Sequence, residues 1–180
     1  MNRVRIIGGE WRSRVLTFPS DADLRPTPDR VRETVFNWLG QDLSGKRCLD
    51  LFAGSGAMGL EAASRGAERV VMVESSPHVL KALKANLHKL GAEQVDLVAM
   101  DALKFLDSDK NRFDVIFLDP PYRLGLLPKL LSSLHLHLAQ GGVVYLENDT
   151  SCALDANWVT WRKGQAGNVH YQLLKFKKDG

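Results

Sequence analysis

From Arg47 onward, short runs of strand-forming residues alternate with runs at helical spacing. The expected strands are 48–52, 70–74, 95–99, 113–118 and 143–147, and the expected helices are 59–64, 77–90, 102–106 and 126–138. The segment Val115-Ile116-Phe117-Leu118 is apolar on both faces, which is typical of a parallel strand covered by helices on either side. Gly91 and Gly141 stand where helix C-caps belong. The alternation predicts a doubly wound α/β sandwich.

Both ends of the chain depart from this alternation. At the C-terminal end, the strand patterns 158–163 and 169–177 are separated only by a glycine-containing turn, so they predict an antiparallel hairpin at one sheet edge. At the N-terminal end, 4–7 and 15–18 predict a second hairpin, and Thr27-Pro28 predicts the N-cap and first turn of a helix. We therefore expect a single domain over 1–180, with an appendage at 1–45 and a core at 46–180.

Composition excludes several classes of protein. A chain of 180 residues with 44% apolar content is long enough to bury a core without cross-links. Its two cysteines, Cys48 and Cys152, lie far apart and are expected to be reduced thiols. The five histidines form no Cys/His cluster at metal spacing, and we found neither a secretory leader pattern nor a long apolar run. We expect a soluble, cytoplasmic protein without a metal site.

Basic residues concentrate at the two ends of the chain. The net charge is only +3, but residues 1–14 carry four arginines against one acid, and residues 162–178 carry five basic residues against none. If the two ends meet in space, they would form a surface suited to a polyanion. From charge alone, two solvated faces are the favoured interpretation.

A glycine-rich run over 50–59 follows the first core strand and opens a helix. Gly54 and Gly56 permit a sharp turn and close approach of a ligand to the backbone. Residues 54–59 also match G-x-G-x-x-G, but Asp50 at the start of the loop would repel a pyrophosphate, and the chain has no second nucleotide-binding half. The same carboxylate suits the ammonium group of a methionine-type ligand.

Acidic residues close the next two strands. Glu74 lies twenty residues after Gly54 and is placed to accept hydrogen bonds from ribose hydroxyls. Asp101 follows the third strand, where it is suited to an adenine amino group.

The tetrapeptide Asp119-Pro120-Pro121-Tyr122 follows the fourth strand. There it would lie beside the glycine loop, where open α/β sheets bind ligands. The Asp119 carboxylate and the Pro120 carbonyl are suited to accept hydrogen bonds from an exocyclic amine and to orient its lone pair. Tyr122 is suited to stack on a base.

Together with the loop, this tetrapeptide resembles the class I methyltransferases that modify exocyclic nitrogens. The segments 4–14 and 24–39 resemble the N-terminal signature of the bacterial RsmD family, whose members are 16S ribosomal RNA guanine-N2 methyltransferases. The resemblance extends from Arg3 to about Phe176. It implies a Rossmann-like, mostly parallel seven-stranded sheet, S-adenosylmethionine as cofactor, and 16S ribosomal RNA or an assembling small subunit as partner.

The resemblance also assigns roles to residues. The expected cofactor-binding residues are Asp50, Phe52, Ala53, Gly54, Gly56, Glu74, Ser75, Asp101, Ala102 and Asp119. The expected catalytic residues, which hold the guanine amine, are Asp119, Pro120 and Tyr122. The expected RNA-binding residues are Arg5, Arg12, Arg14, Arg25, Thr27, Arg30 and Arg32.

Alternatives remain open at this stage. Arg25 or Arg32 is equally able to form an ion pair with Asp29 or Glu33, and Trp11 suits hairpin packing better than base stacking. DNA adenine-N6 methyltransferases share D-P-P-Y, and protein glutamine methyltransferases carry a related N-P-P-Y, so both are competing activities. A non-catalytic RNA-binding protein is the third alternative, which the complete set of cofactor residues disfavours.

Overall fold

The computed structural model describes residues 2–20, 24, 26–120, 125–148 and 154–177. Its strands are β1 (Asn2–Arg5), β2 (Val15–Phe18), β3 (Arg47–Asp50), β4 (Arg69–Glu74), β5 (Val95–Ala99), β6 (Phe113–Leu118), β7 (Leu138–Asn148), β8 (Trp158–Ala166) and β9 (Val169–Phe176). Its helices are α1 (Asp29–Leu39), α2 (Ala57–Ser64), α3 (Pro77–Leu90), α4 (Ala102–Ser108) and α5 (Leu127–Leu134). No helix in these ranges is long and apolar enough to cross a membrane.

Seven strands form one sheet in the order β5-β4-β3-β6-β7-β9-β8. The first five strands in this order are parallel, and β9 pairs antiparallel with both β7 and β8. The chain crosses from β5 back to β6 on the other side of β3, which creates a topological switch point between β3 and β6. The predicted mostly parallel sheet with an antiparallel C-terminal hairpin is confirmed.

The apolar residues of each strand divide between two cores because successive side chains point to opposite faces. On β6, Ile116 and Leu118 face a core formed with α4 and α5, whereas Val115 and Phe117 face a core formed with α1, α2 and α3. These residues are no more than 4% exposed. Burial on both faces explains why the strands are continuous apolar runs.

The junction between α5 and β7 differs from the prediction. The expected helix to residue 138 instead ends at Leu134, a short 3-10 turn follows at His135–His137, and β7 begins at Leu138. Gly141 is not a helix C-cap, because it lies inside β7 with φ of +75°. The pairing of β6 with β7 shifts register beside it, and a bulge of this kind favours glycine because its backbone adopts positive φ without strain.

The N-terminal appendage is joined to α2 by a buried carboxylate. Glu61 is fully buried and accepts hydrogen bonds from the backbone N–H groups of Ile7 and Gly8, at 2.9 Å each. It also pairs with Arg32 of α1 at 3.0 Å and with Arg65 at 2.9 Å. The same carboxylate therefore connects the segment after β1, the helix α1 and the core.

The start of α1 also departs from the prediction. The helix begins at Asp29, and no side chain caps its N-terminus. Thr27 is turned away from the helix, and its hydroxyl donates a 2.7 Å hydrogen bond to Glu147 at the end of β7. The predicted N-cap at Thr27 is wrong, because its hydroxyl bonds to this buried carboxylate and accepts no backbone N–H from the first turn of α1.

Candidate functional site

All five parallel strands carry a carboxylate at their carboxyl ends. These residues are Asp50, Glu74, Asp101, Asp119 and Glu147. Because the strands are parallel, all five lie along one edge of the sheet, around the switch point. The edge is therefore suited to a ligand that is cationic or rich in hydrogen-bond donors.

The glycine loop turns sharply between β3 and α2. Gly54 and Gly56 have φ of +53° and +82°, and the Gly56 N–H donates to the Ala53 carbonyl at 2.8 Å. Gly56 stands at the N-cap position of α2. A Cβ on Gly59 would lie 2.9 Å from Asp50 Oδ2, which accepts the Gly59 N–H at 2.9 Å. The third glycine of the motif thus makes room for Asp50 and not for a pyrophosphate.

A cleft of about 330 Å³ lies beside this loop, across the ends of β3, β4 and β5. Among the predicted cofactor residues, those lining it are Phe52, Gly54, Glu74, Ser75, Asp101 and Ala102. Glu74 accepts the Gly54 N–H at 2.9 Å on one oxygen, and the N–H groups of Ser75 and Ser76 at 3.1 and 2.9 Å on the other. A carboxylate has about four acceptor positions, so Glu74 would have to release one of these bonds to accept two ribose hydroxyls.

Asp101 caps α4 with one oxygen of its carboxylate. Its Oδ2 accepts the N–H groups of Leu103 and Lys104 at 3.1 and 3.3 Å. The side chain is exposed on the cleft. Its other oxygen is thus oriented by the helix start and is suited to accept from an amino group.

A second, smaller cleft of about 70 Å³ adjoins the first and shares Phe52 and Gly54 with it. Asp50 and Asp119 both line this cleft, together with Thr27 and Tyr145. Its size suits the edge of a planar group and not a whole ring system. The predicted cofactor residue Ala53 also lines it, whereas Gly56 and Pro120 line neither cleft.

Burial changes the protonation of the two aspartates. Burial raises the pKa of Asp50 to about 7; the Gly59 hydrogen bond opposes this shift, and the charge of Glu74 adds to it. Burial, then the charges of Glu147 and Asp50, raise the pKa of Asp119 well above its usual range. Because crowded carboxylates disfavour their own ionisation, a cationic ligand in these clefts would lower both pKa values.

Sequence reasoning did not find Glu147 and Tyr145 as site residues. Glu147 is 5% exposed and accepts hydrogen bonds from Thr27 and Tyr145, at 2.7 Å each, on the same oxygen. The signal that could have found Glu147 is its place at the end of the fifth parallel strand, the rule that already selected Glu74. Tyr145 carried no such signal, since its position inside an apolar run resembles that of any core residue.

Two predicted RNA-binding residues are buried. Arg32 is 1% exposed, pairs with Asp29 and Glu61, and donates to the carbonyls of Thr27 and Arg5 at 3.1 and 2.9 Å. The prediction that Arg32 contacts RNA is wrong because all three nitrogens of its guanidinium are engaged inside the protein; the ion pair with Asp29 left open above is confirmed. Thr27 is 3% exposed and belongs to the wall of the smaller cleft, not to the outer surface.

The other predicted RNA contacts differ in position. Arg5, Arg12, Arg14 and Arg30 are exposed, whereas Arg25 and the catalytic candidate Tyr122 lie outside the described residues. Arg14 donates to the Lys89 carbonyl in the last turn of α3 at 3.3 Å. Because α3 runs back from the edge that carries the carboxylates, Arg14 lies far from the clefts. Trp11 is 5% exposed and packs in the core, which confirms the packing interpretation.

Comparisons with known proteins agree with this geometry. A family described as conserved hypothetical protein 95 matches residues 4–175. The ribosomal RNA small subunit methyltransferase D of Escherichia coli strain K12 is 41% identical, and the match covers 99% of this chain and 92% of that protein. The Haemophilus influenzae protein of the same name is 40% identical over 96% of this chain and 93% of its own length.

The fold comparison gives the same result. A solved structure of a putative methyltransferase from Escherichia coli superposes with a TM-score of 0.88 and 41% identity, covering 99% of this chain and 100% of that one. The class I methyltransferase fold implied by the sequence is therefore confirmed. With a family match across residues 4–175 and relatives about 40% identical along nearly their whole length, the chain belongs to the RsmD family.

Proposed function

We propose that this protein uses S-adenosylmethionine to methylate the exocyclic N2 amine of a guanine in small-subunit ribosomal RNA. The observation that carries the proposal is the pair of adjoining clefts at the switch point, with Asp50 and Asp119 lining the smaller one. The relatives from Escherichia coli and Haemophilus influenzae are named ribosomal RNA small subunit methyltransferases, which supports the RNA class of the substrate.

The larger cleft fits the cofactor chemically. S-adenosylmethionine supplies an activated methyl group on a positively charged sulfonium. In this cleft, Glu74 suits the ribose hydroxyls of the cofactor and Asp101 suits its adenine amino group. Asp50 lines the adjoining smaller cleft and suits the ammonium group of the cofactor. Gly54 and Leu24 line both clefts. A Cβ on Gly54 would lie 2.8 Å from the Leu24 side chain, so a larger residue at position 54 would narrow both clefts.

Asp119 orients the acceptor amine and takes up its charge. An exocyclic amine is a weak nucleophile because its lone pair is delocalised into the ring, and a carboxylate that accepts an N–H hydrogen bond aligns the nitrogen for attack. As the nitrogen gains positive charge, its proton becomes acidic, and Asp119 accepts it or passes it to water. The raised pKa of Asp119 suits a group that must hold a proton at the end of the reaction.

The guanine must be unpaired for this chemistry. Asp119 is only partly exposed at the rim of a small cleft, which a stacked and paired base cannot reach, so the target is a loop base or one that is flipped out. A chain this small grips a short stretch of RNA, and the shape of a partly assembled subunit supplies the remaining selectivity. Assembled small subunits are accordingly expected to be better substrates than naked RNA.

The test uses small ribosomal subunits from a strain that lacks this gene. The protein and methyl-labelled cofactor are incubated with subunits or free ribosomal RNA, and the labelled nucleoside is identified after digestion. We expect label in N2-methylguanosine, with the faster rate on subunits. The variant Asp119→Asn should lose turnover by roughly 100-fold or more, while calorimetry shows cofactor affinity within a few-fold of the parent.

Three results would contradict the proposal. Label in N6-methyladenosine, or only in a protein glutamine, would assign a different substrate while leaving the cofactor site intact. Equal loss of cofactor binding and turnover in Asp119→Asn would remove Asp119 from the acceptor site.

A further inference from the structure

One wall of the smaller cleft is formed by three oxygen-bearing side chains. Asp119, Thr27 and Tyr145 all line it. Behind this wall lies Glu147, whose Oε1 accepts the Thr27 hydroxyl and the Tyr145 hydroxyl at 2.7 Å each. Thr27 and Glu147 are separated by 120 residues, so the arrangement exists only in the folded protein.

Glu147 fixes the direction of both hydrogen bonds. A hydroxyl has one proton to donate and two lone pairs, whereas a carboxylate only accepts. Thr27 and Tyr145 therefore each use their hydroxyl hydrogen in the bond to Glu147, and each hydroxyl can offer only its lone pairs to a ligand in the cleft. Burial, together with the charge of Glu147 and its hydrogen bond, raises the pKa of Tyr145 well above its usual range, so the phenol keeps the proton that this bond requires.

An acceptor-only wall beside Asp119 selects among nucleobase edges. Guanine presents two adjacent donors, the ring N1–H and the N2 amine. Adenine presents its amine beside a ring N1 that carries a lone pair, which would meet the lone pair of a hydroxyl. A site built to accept a hydrogen bond from a substrate N–H discriminates strongly against an analogue that lacks this donor. This discrimination is much larger than that of an apolar pocket between substrates of similar shape.

We propose that Glu147 is a positioning residue for base specificity: by holding Thr27 and Tyr145 as hydrogen-bond acceptors, it makes the cleft select the paired N1–H and N2–H donors of guanine. The inference rests on the proposed function. Glu147 acts through the two hydroxyls, because Thr27 and Tyr145 line the smaller cleft and Glu147 is not among the residues that line it.

The test replaces guanine by 2-aminopurine at the methylated position. This base keeps the C2 amine but has a lone pair at N1 in place of the N1–H. Small subunits are reconstituted with ligated ribosomal RNA that carries either base, and kcat/KM is measured for each. The parent protein should favour guanine by roughly 100-fold or more.

The variants separate specificity from stability. In Glu147→Gln, the side-chain amide can donate to the hydroxyl oxygens and free their protons to face the cleft, so the preference for guanine should fall to roughly tenfold or less. Tyr145→Phe removes one acceptor and should reduce the preference in the same direction. Thr27→Ser retains the hydroxyl and is the conservative control, which should keep the parent preference.

The outcomes distinguish this inference from the proposed function. A parent protein that forms no N2-methylguanosine contradicts the proposed function. A parent protein that methylates both bases equally well contradicts only the role of the acceptor wall. If the Glu147→Gln variant still binds the cofactor and its preference for guanine is unchanged, the role of Glu147 is overturned. If that variant does not fold, an unchanged preference in Tyr145→Phe overturns it.

Discussion

At the scale of single residues, carboxylates dominate the charge of the site, and no basic side chain lines either cleft among the residues that the structure describes. Asp50 is 4% exposed and is bound by the Gly59 N–H at 2.9 Å. Burial raises its pKa to about 7, compared with about 3.9 for an exposed aspartate. Ionised Asp50 therefore costs the ligand-free protein stability, and a cationic cofactor offsets this cost when it binds.

This balance predicts a pH-dependent effect of Asp50→Asn. The free energy of unfolding of the parent falls as pH rises from about 4 to about 7, because the unfolded chain ionises Asp50 in this range while the folded protein keeps it protonated. The loss reaches about 4 kcal/mol above pH 7, of which about 3 kcal/mol develops above pH 5. Relative to the parent, the variant should therefore gain several degrees in Tm between pH 5 and pH 8, as measured by calorimetry without cofactor. Asp107→Asn, at an exposed position, is the control and should show no such gain. The same Tm difference at both pH values would contradict the raised pKa.

At the scale of elements, helices and strands are positioned by contacts between residues that lie far apart in sequence, which local sequence patterns do not predict. The helix α2 is buried along all of its length, and its Glu61 binds two arginines and two backbone N–H groups. The bulge in β7 at Gly141 similarly depends on pairing with β6. The sequence predicted a helix C-cap at Gly141, which is wrong, because whether this glycine ended a helix or bent a strand depended on the neighbouring strand.

The contacts of α2 predict a large loss of stability in Glu61→Gln. The substitution leaves the buried Arg32 guanidinium without its inner counter-charge, and removal of one partner of a buried ion pair costs about 3–5 kcal/mol. Urea unfolding should show this loss as a lower midpoint. The exposed Glu68→Gln provides the matched control, expected to change stability by less than about 0.5 kcal/mol. If the two variants unfold at the same urea concentration, the buried network does not hold the appendage.

At the scale of the whole molecule, the N-terminal basic turn lies away from the clefts. The turn that carries Arg12 and Arg14 bonds to the last residue of α2 through Glu10, at 2.7 Å from the Ser64 carbonyl. Since α2 starts at the glycine loop, this turn lies about 12 Å or more from the catalytic edge. The C-terminal hairpin packs against α1, where the Trp38 ring stacks on the Tyr171 ring of β9 with 5.6 Å between the ring centroids.

This placement predicts separate effects on RNA binding and on the chemical step. In the double variant Arg12→Gln and Arg14→Gln, the salt dependence of binding to small subunits should fall by about two phosphate contacts, at roughly 0.9 per contact. Turnover by the saturated enzyme should be unchanged, because these residues lie far from Asp119. The double variant Lys104→Gln and Lys110→Gln removes the same charge from exposed positions at α4 and just after it, on the other face of the sheet. If the two double variants lower the salt dependence of binding equally, RNA binding depends only on the net charge of the protein.

Much of the fold and part of the site follow from short-range patterns in the sequence. Apolar periodicity, glycine positions and strand-end carboxylates indicated the parallel sheet, the loop over 54–59, and the residues Glu74, Asp101 and Asp119. These features are predictable because side-chain alternation and the common direction of parallel strands depend only on local sequence. The same reasoning would have identified Glu147, which also lies at the carboxyl end of a parallel strand.

Other features were decided only by the tertiary structure. Nothing near Arg32 in sequence distinguishes a buried ion pair from an RNA contact, because its partner Glu61 lies 29 residues away. The Thr27 hydroxyl meets Glu147 across 120 residues, and this contact turns a predicted helix cap into part of the cleft wall. The sequence by itself determined which elements form and which of their ends carry charge. Packing of distant segments decided which of those groups are buried together, and burial determines their protonation and the direction of their hydrogen bonds.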